Sequence, residues 1–271
     1  MSILSKDSIK ELILPHLSVS KKGMQLSENK IIRIVQVILY RLKTGCQWRE
    51  LPMREFFDEP YTQKSVFHHF NKWSKEGCWQ EAWQHIVAEN KELLDMSSVQ
   101  LDGTHTRARG GGGAVAYQGR KSANTSNMLC ISDANGILLM ASKPISGNRH
   151  DSTDFEENMK HIASMAQEMG ISLDGLFLNA DAGFDNAEVR RVLDIHQIQA
   201  NIAQNPRSGN AYLERDDYFD ELLYQARFVI ERSFAWIDGQ KALMTRYEKT
   251  ARNWFSMNML GFLTILERKI T

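Results

Sequence analysis

Apolar side chains recur at positions 31, 34, 35, 38, 39 and 42, the spacing of one face of an α-helix. The pattern predicts a helix over 28–44, capped by Ser27 at its start and ended by Gly45. After a loop containing Pro52 and Pro60, Thr62 is placed to cap a second helix reaching about Lys75. Its predicted buried side is Val66, Phe67, Phe70 and Trp73, leaving Lys64, His69, Lys72 and Lys75 for solvent or a ligand. A third helix is expected over 79–94, and Trp73, Trp79 and Trp83 read as core. Short helices joined by tight turns make a small helix-turn-helix-like unit, so residues 1–96 are expected to be all-helical.

From residue 97 the period changes. Val99 to Asp102 reads as a short strand ending on its aspartate. Met128–Ser132 and Ile137–Ser142 read as a hairpin across Asn135-Gly136. A helix over 152–169, a strand over 175–179, a helix over 186–196 and a strand over 199–203 follow. Helices over 221–237 and 250–268 end the pattern. This order is α/β with a mixed sheet over residues 97–271, and a ribonuclease-H-like core has it.

Composition adds limits rather than a function. The 271 residues are 42% hydrophobic and 24% charged, with 33 basic against 33 acidic side chains. No apolar run approaches the roughly 20 residues that a membrane helix needs, and the charged first 14 residues do not resemble a signal peptide. An intracellular, cytoplasmic protein is expected. Cys46, Cys78 and Cys130 lack paired spacing, which argues against a disulfide framework or zinc site. Zero net charge does not suggest nucleic acid, although only a local patch of Lys and Arg need meet phosphates.

Three carboxylates stand out by position. Asp102 and Asp181 each follow a predicted strand, where α/β sheets gather their ligand sites. Glu231 lies on a helix predicted to bury Leu223, Ala226, Ile230, Phe234 and Ile237. Oxygen ligands of this kind suit magnesium, and two such ions serve phosphodiester chemistry. Residue type and spacing equally fit ordinary caps and surface charges.

Longer blocks add to this. Leu101-Asp102-Gly103-Thr104, Asn179-Ala180-Asp181-Ala182-Gly183-Phe184 and Tyr224-x-x-Arg227-x-x-x-Glu231-Arg232 resemble the signature blocks of bacterial insertion-sequence DDE transposases, nearest the insertion-sequence-five group. Ser146 to Ser152, Thr245 to Asn253 and the stretch Tyr40 to Pro52 are similar to further blocks of that group. The resemblance implies a metal-dependent enzyme that cuts and joins DNA at insertion-sequence ends. In it, Asp102, Asp181 and Glu231 hold two magnesium ions, with manganese as a substitute. The implied partners are double-stranded DNA, as terminal inverted repeats and as target, and a second copy of the chain in a homodimer or higher assembly. Lys64 and Lys72 on the helix 62–75, together with Arg227 and Lys241, are the candidate DNA contacts, with a surface ion pair to Glu231 as the other reading of Arg227. Many members of the group carry a base seven residues after the glutamate, where this chain has Asp238. That departure keeps open a non-catalytic DNA-binding derivative; a nuclease that cuts without joining is the other alternative.

Other features weigh less. Gly110 to Gly113 lacks the setting of a phosphate loop and reads as a turn between strands. Arg107, Arg109, Arg120 and Lys121 flank it, with DNA or solvent as equal readings. His105 and His150 suit structural hydrogen bonds or an assisting role near the metals, and Asp151 and Asp185 suit helix starts or a place around the metal-holding carboxylates.

Overall fold

The computed structural model describes residues 4–18, 26–205 and 218–270. In chain order, helices α1 (Lys6–Leu12), α2 (Glu28–Thr44), α3 (Met53–Phe56), α4 (Gln63–Lys75) and α5 (Cys78–Glu89) come first. Strands β1 (Val99–Ala108), β2 (Ala116–Gln118), β3 (Ala123–Ser132), β4 (Leu138–Ala141) and β5 (Ile145–Ser146) follow, then α6 (Phe155–Glu168), β6 (Phe177–Ala180), α7 (Ala187–Ile195) and β7 (Gln199–Ile202). The last elements are α8 (Glu221–Gln225), α9 (Val229–Asp238), α10 (Lys241–Met244), β8 (Thr245–Arg246) and α11 (Ala251–Ile270). No helix among the described residues is long and apolar enough to cross a membrane.

The chain forms two compact units. The first comprises Met1–Glu89, Thr106–Gly113 and Trp236–Thr271; the second comprises Asn90–His105 and Ala114–Ala235. In the first unit α11 packs against α2, α4 and α5. Trp83 meets Phe262 edge-on at 5.6 Å between centroids, and Trp73, Trp79 and Trp254 are fully buried. Burying one indole contributes about 4–6 kcal/mol at about 25 cal/mol per Å². The N–H groups of Trp79, Trp83 and Trp254 lack a hydrogen-bond partner, which costs about 1–3 kcal/mol each. Ring burial wins. Ser27 and Thr62 cap α2 and α4 through their hydroxyls. Gly45 ends α2 at φ 67°, and a Cβ there would lie 3.0 Å from the Lys241 backbone. That close approach seats α10 on α2.

In the second unit the sheet runs β2-β3-β1-β6-β7, with β4 and β5 also paired to β3. β1, β6 and β7 are parallel, and β3 and β4 form the antiparallel hairpin, turned at Gly136 with φ 82°. Helix α6 packs on α7 and β4, and α7 on β7. Read as β4-β3-β1-β6-β7, this is the strand order of a ribonuclease-H-like core.

Register is fixed by a buried row of amides. Gln100, Asn179 and Asn201 are paired across β1, β6 and β7. Asn179 Nδ2 donates to Gln100 Oε1 at 2.9 Å, and Asn201 Nδ2 donates to Asn179 Oδ1 at 2.7 Å. A slip of one residue would send these side chains to the other face and leave polar groups unpaired in the core.

Several sequence expectations need correction. β1 does not stop at Asp102; it continues through Thr104 and Thr106, whose branched side chains suit a strand, so Asp102 lies mid-strand. β3 starts at Ala123 rather than Met128. α5 ends at Glu89, with only a 3-10 turn over Lys91–Leu93 beyond it. The helix expected over 221–237 is interrupted by a 3-10 turn at Ala226–Phe228. Within that stretch Ile230 and Ile237 are buried as expected, but Leu223 is exposed. Phe67, expected in the core, is 38% exposed and meets Trp48 edge-on instead.

Candidate active site

The register of β1 with β6 makes Leu101 the partner of Ala180, so Asp102 and Asp181 are the next residues of adjacent parallel strands. A glycine N–H meets each carboxylate. The Gly103 N–H donates to Asp102 Oδ1 at 2.7 Å, and the Gly183 N–H donates to Asp181 Oδ1 at 2.8 Å. A Cβ at Gly183 would lie 2.8 Å from that same Asp181 oxygen.

Glu231 is exposed in the first turn of α9. Asp220 links its segment to the sheet. The Asp220 N–H donates to Asn201 Oδ1 at 2.9 Å and its carbonyl accepts from Asn201 Nδ2 at 2.9 Å. The Asp220 side chain then caps α8 by accepting from the Leu223 N–H. Hydrogen bonds from Ser233 Oγ to the Gly136 carbonyl at 2.5 Å and from Arg232 to the Asn135 carbonyl at 3.1 Å fix α9 to the hairpin.

Burial pushes the Asp102 carboxyl up to about 6; the Gly103 N–H opposes this, and the charges of Asp181, Asp151 and Glu231 add to it. Among the described residues no three His, Cys, Asp or Glu side chains close into a metal cage. What the structure provides is a group of mutually repelling carboxylates with hard oxygen donors, a charge arrangement that a divalent cation relieves. In that respect the residues fit a divalent metal ion.

Asp151 is part of the surroundings. Its Oδ1 accepts from His105 Nε2 at 3.2 Å and from Asn127 Nδ2. Burial pushes this carboxyl up, but His105, Asn127 and the charge of His150 outweigh it and hold it below the usual range. Asp185 is buried and paired with Arg190 at 2.9 Å. His150 bonds the Ser152 hydroxyl locally.

The remaining candidates scatter. Arg227 stacks on Tyr224 at 5.0 Å and Phe228 at 4.1 Å, and its buried Nε has no hydrogen-bond partner. Lys64 is exposed on α4. Lys72, on the same helix, is half-buried and donates to the Ser18 carbonyl at 3.3 Å. Lys241 starts α10 and Asp238 closes α9. Gln100, Asn179 and Asn201, which position the two aspartates, were not singled out from the sequence. A signal was present for Asn179, the one amide residue inside the otherwise apolar strand Phe177–Ala180.

Residues 94–266, more than half of the chain, match the family described as "Transposase DDE domain". The chain belongs to the DDE transposases. Residues 7–83 also match a family described as "Putative transposase of IS4/5 family". The transposase is therefore an enzyme that cleaves DNA and transfers strands, in a family that depends on divalent metal. No curated protein matches it. Solved structures titled as a pre-cleavage Mos1 transpososome (9% identity, TM-score 0.30) and a Mos1 Strand Transfer Complex (10%, TM-score 0.29) each align over 92% of this chain and 80% of theirs.

Proposed function

We propose that this transposase acts at the ends of an insertion sequence, with Asp102, Asp181 and Glu231 as the residues that hold two divalent ions. The observation that carries the reading is the register of β1 and β6, which sets Asp102 beside Asp181, within electrostatic reach of Glu231. Magnesium, with manganese as a substitute, would activate the attacking oxygen and stabilise the leaving one. The protein's part is to hold those carboxylates in place through glycine N–H groups and the amide row. Hydrolysis of one phosphodiester at the element's end frees a 3′-hydroxyl. Attack by that hydroxyl on target DNA forms one P–O bond as another breaks.

The functional division places DNA recognition in residues 1–96 and chemistry in residues 97–271. α4 is the candidate reader of the terminal inverted repeats, with Lys64 and Lys72 on phosphates. Lys72 has donors beyond the one given to Ser18. A phosphate would satisfy the unpartnered Nε of Arg227, and Lys241 is a further phosphate contact. A homodimer or larger assembly would bridge two DNA ends in the bacterial cytoplasm.

The test is end cleavage with purified protein, the element's own terminal repeats and magnesium. Nicking at the repeat boundary, lost in Asp181→Asn and Glu231→Gln, supports the reading. DNA binding without cleavage in magnesium or manganese overturns it, and cutting without joined product leaves only a nuclease.

A further inference from the structure

The glycine run and the block 245–253 meet in the first unit. The last residues of β1 pair in parallel with β8, Arg107 with Thr245 and Ala108 with Arg246. Beyond the strand, the Arg109 N–H donates to the Arg246 carbonyl at 3.0 Å and the Gly113 N–H to the Lys249 carbonyl at 3.2 Å. Gly112 has φ 149°, and a Cβ there would stand 2.2 Å from the Lys249 carbonyl oxygen, so a side chain is excluded. Arg246 locks the arm from below: buried, it donates to the Gly113 carbonyl at 2.7 Å and the Glu248 carbonyl at 2.9 Å.

Burial alternates along residues 246–249. Arg246 and Glu248 point inward, while Tyr247 and Lys249 are exposed, as are Arg107 and Arg109 on the neighbouring segment. The one acid of this stretch, Glu248, is buried and neutralised by Arg41 at 2.7 Å. Three residues after Lys249, exposed Arg252 donates to Asn71 Oδ1 of α4 at 2.9 Å. Asn71 lies on the same stripe of α4 as Lys64 and Lys75, at i, i+7 and i+11.

We propose that the arm 107–113 and the segment 247–252 extend the face of α4 into one DNA-backbone surface, with Arg107, Arg109, Lys249 and Arg252 contacting phosphates. A basic surface whose one acid is buried, with an exposed tyrosine, suits the phosphate backbone rather than base edges, so its contribution is independent of sequence. The inference rests on the chain acting on DNA, but not on the assignment of the metal ligands.

The measurement is anisotropy of a labelled DNA duplex of arbitrary sequence, titrated with full-length protein at several salt concentrations. Each phosphate contact contributes about 0.9 to the slope of log K against log salt. Arg107→Gln/Arg109→Gln is expected to flatten the slope by about 2, and Lys249→Gln and Arg252→Gln by about 1 each, with Lys6→Gln on α1 unchanged. Slopes equal to wild type in all three arm variants overturn the proposal, as does an equal loss in Lys6→Gln. Thermal melts identify a variant that misfolds, and because the substitutions lie on two separate segments, either segment then decides. Failure of the wild type to bind any duplex would instead count against DNA action itself.

Discussion

Asn179 Nδ2 donates to Gln100 Oε1 at 2.9 Å, and each residue stands two positions before an aspartate of the site. The bond therefore sets the register that brings Asp181 beside Asp102. Asn179→Ala leaves Gln100 and Asn201 with unpaired polar groups in the core, at a cost of about 1–3 kcal/mol for each unsatisfied group. Urea unfolding should show that loss. Cleavage should fall well below the folded fraction, because the aspartates lose their alignment. Wild-type cleavage per folded molecule would reject the positioning role.

Asp102→Asn should separate stability from activity. The Asp102 carboxyl is raised to about 6 from 3.8, so between those values the folded state holds more protons than the unfolded one. Metal-free protein therefore loses stability as pH rises from about 4 through about 6. Asparagine removes that slope and is expected to stabilise the metal-free protein near neutral pH by on the order of 1–3 kcal/mol while abolishing cleavage. Melting curves across pH without metal check the sign.

Gly103→Ala should disable the site with little change in fold content. A Cβ there would sit 2.8 Å from Asp151 Cγ and 2.9 Å from both its oxygens. The Asp151 carboxylate would have to leave its bonds to His105 and Asn127. Circular dichroism is expected to match wild type, with cleavage reduced at least about tenfold, the equivalent of about 1.4 kcal/mol in the barrier.

Glu248→Gln tests the first unit. The Arg41–Glu248 pair is buried, with side chains 2% and 3% exposed. Removing one charge strands the other, at about 3–5 kcal/mol. Denaturant unfolding should show a large drop, whereas Arg33→Gln, which breaks an exposed pair with Asp58, should change stability by less than about 1 kcal/mol.

The local grammar of the chain was legible in its sequence. Ser27 and Thr62 cap helices because hydroxyl side chains accept from free N–H groups there. Asn135-Gly136 turns the hairpin because glycine takes positive φ. The signature blocks likewise identified the family and supplied the candidate aspartates and glutamate. Long-range pairing was not legible. Nothing local says that Gln100 pairs Asn179, that β1 runs past Asp102 to pair with β8, or that Leu223 and Phe67 face solvent. Periodicity shows which face of an element is apolar, but not which partner covers it. For the same reason only the tertiary structure decided that α11 belongs in the core of the N-terminal helices, and that the glycine arm lies against residues 245–249. Contacts between residues more than a hundred positions apart depend on packing and register, and a side-chain pattern encodes them only once the strands are paired.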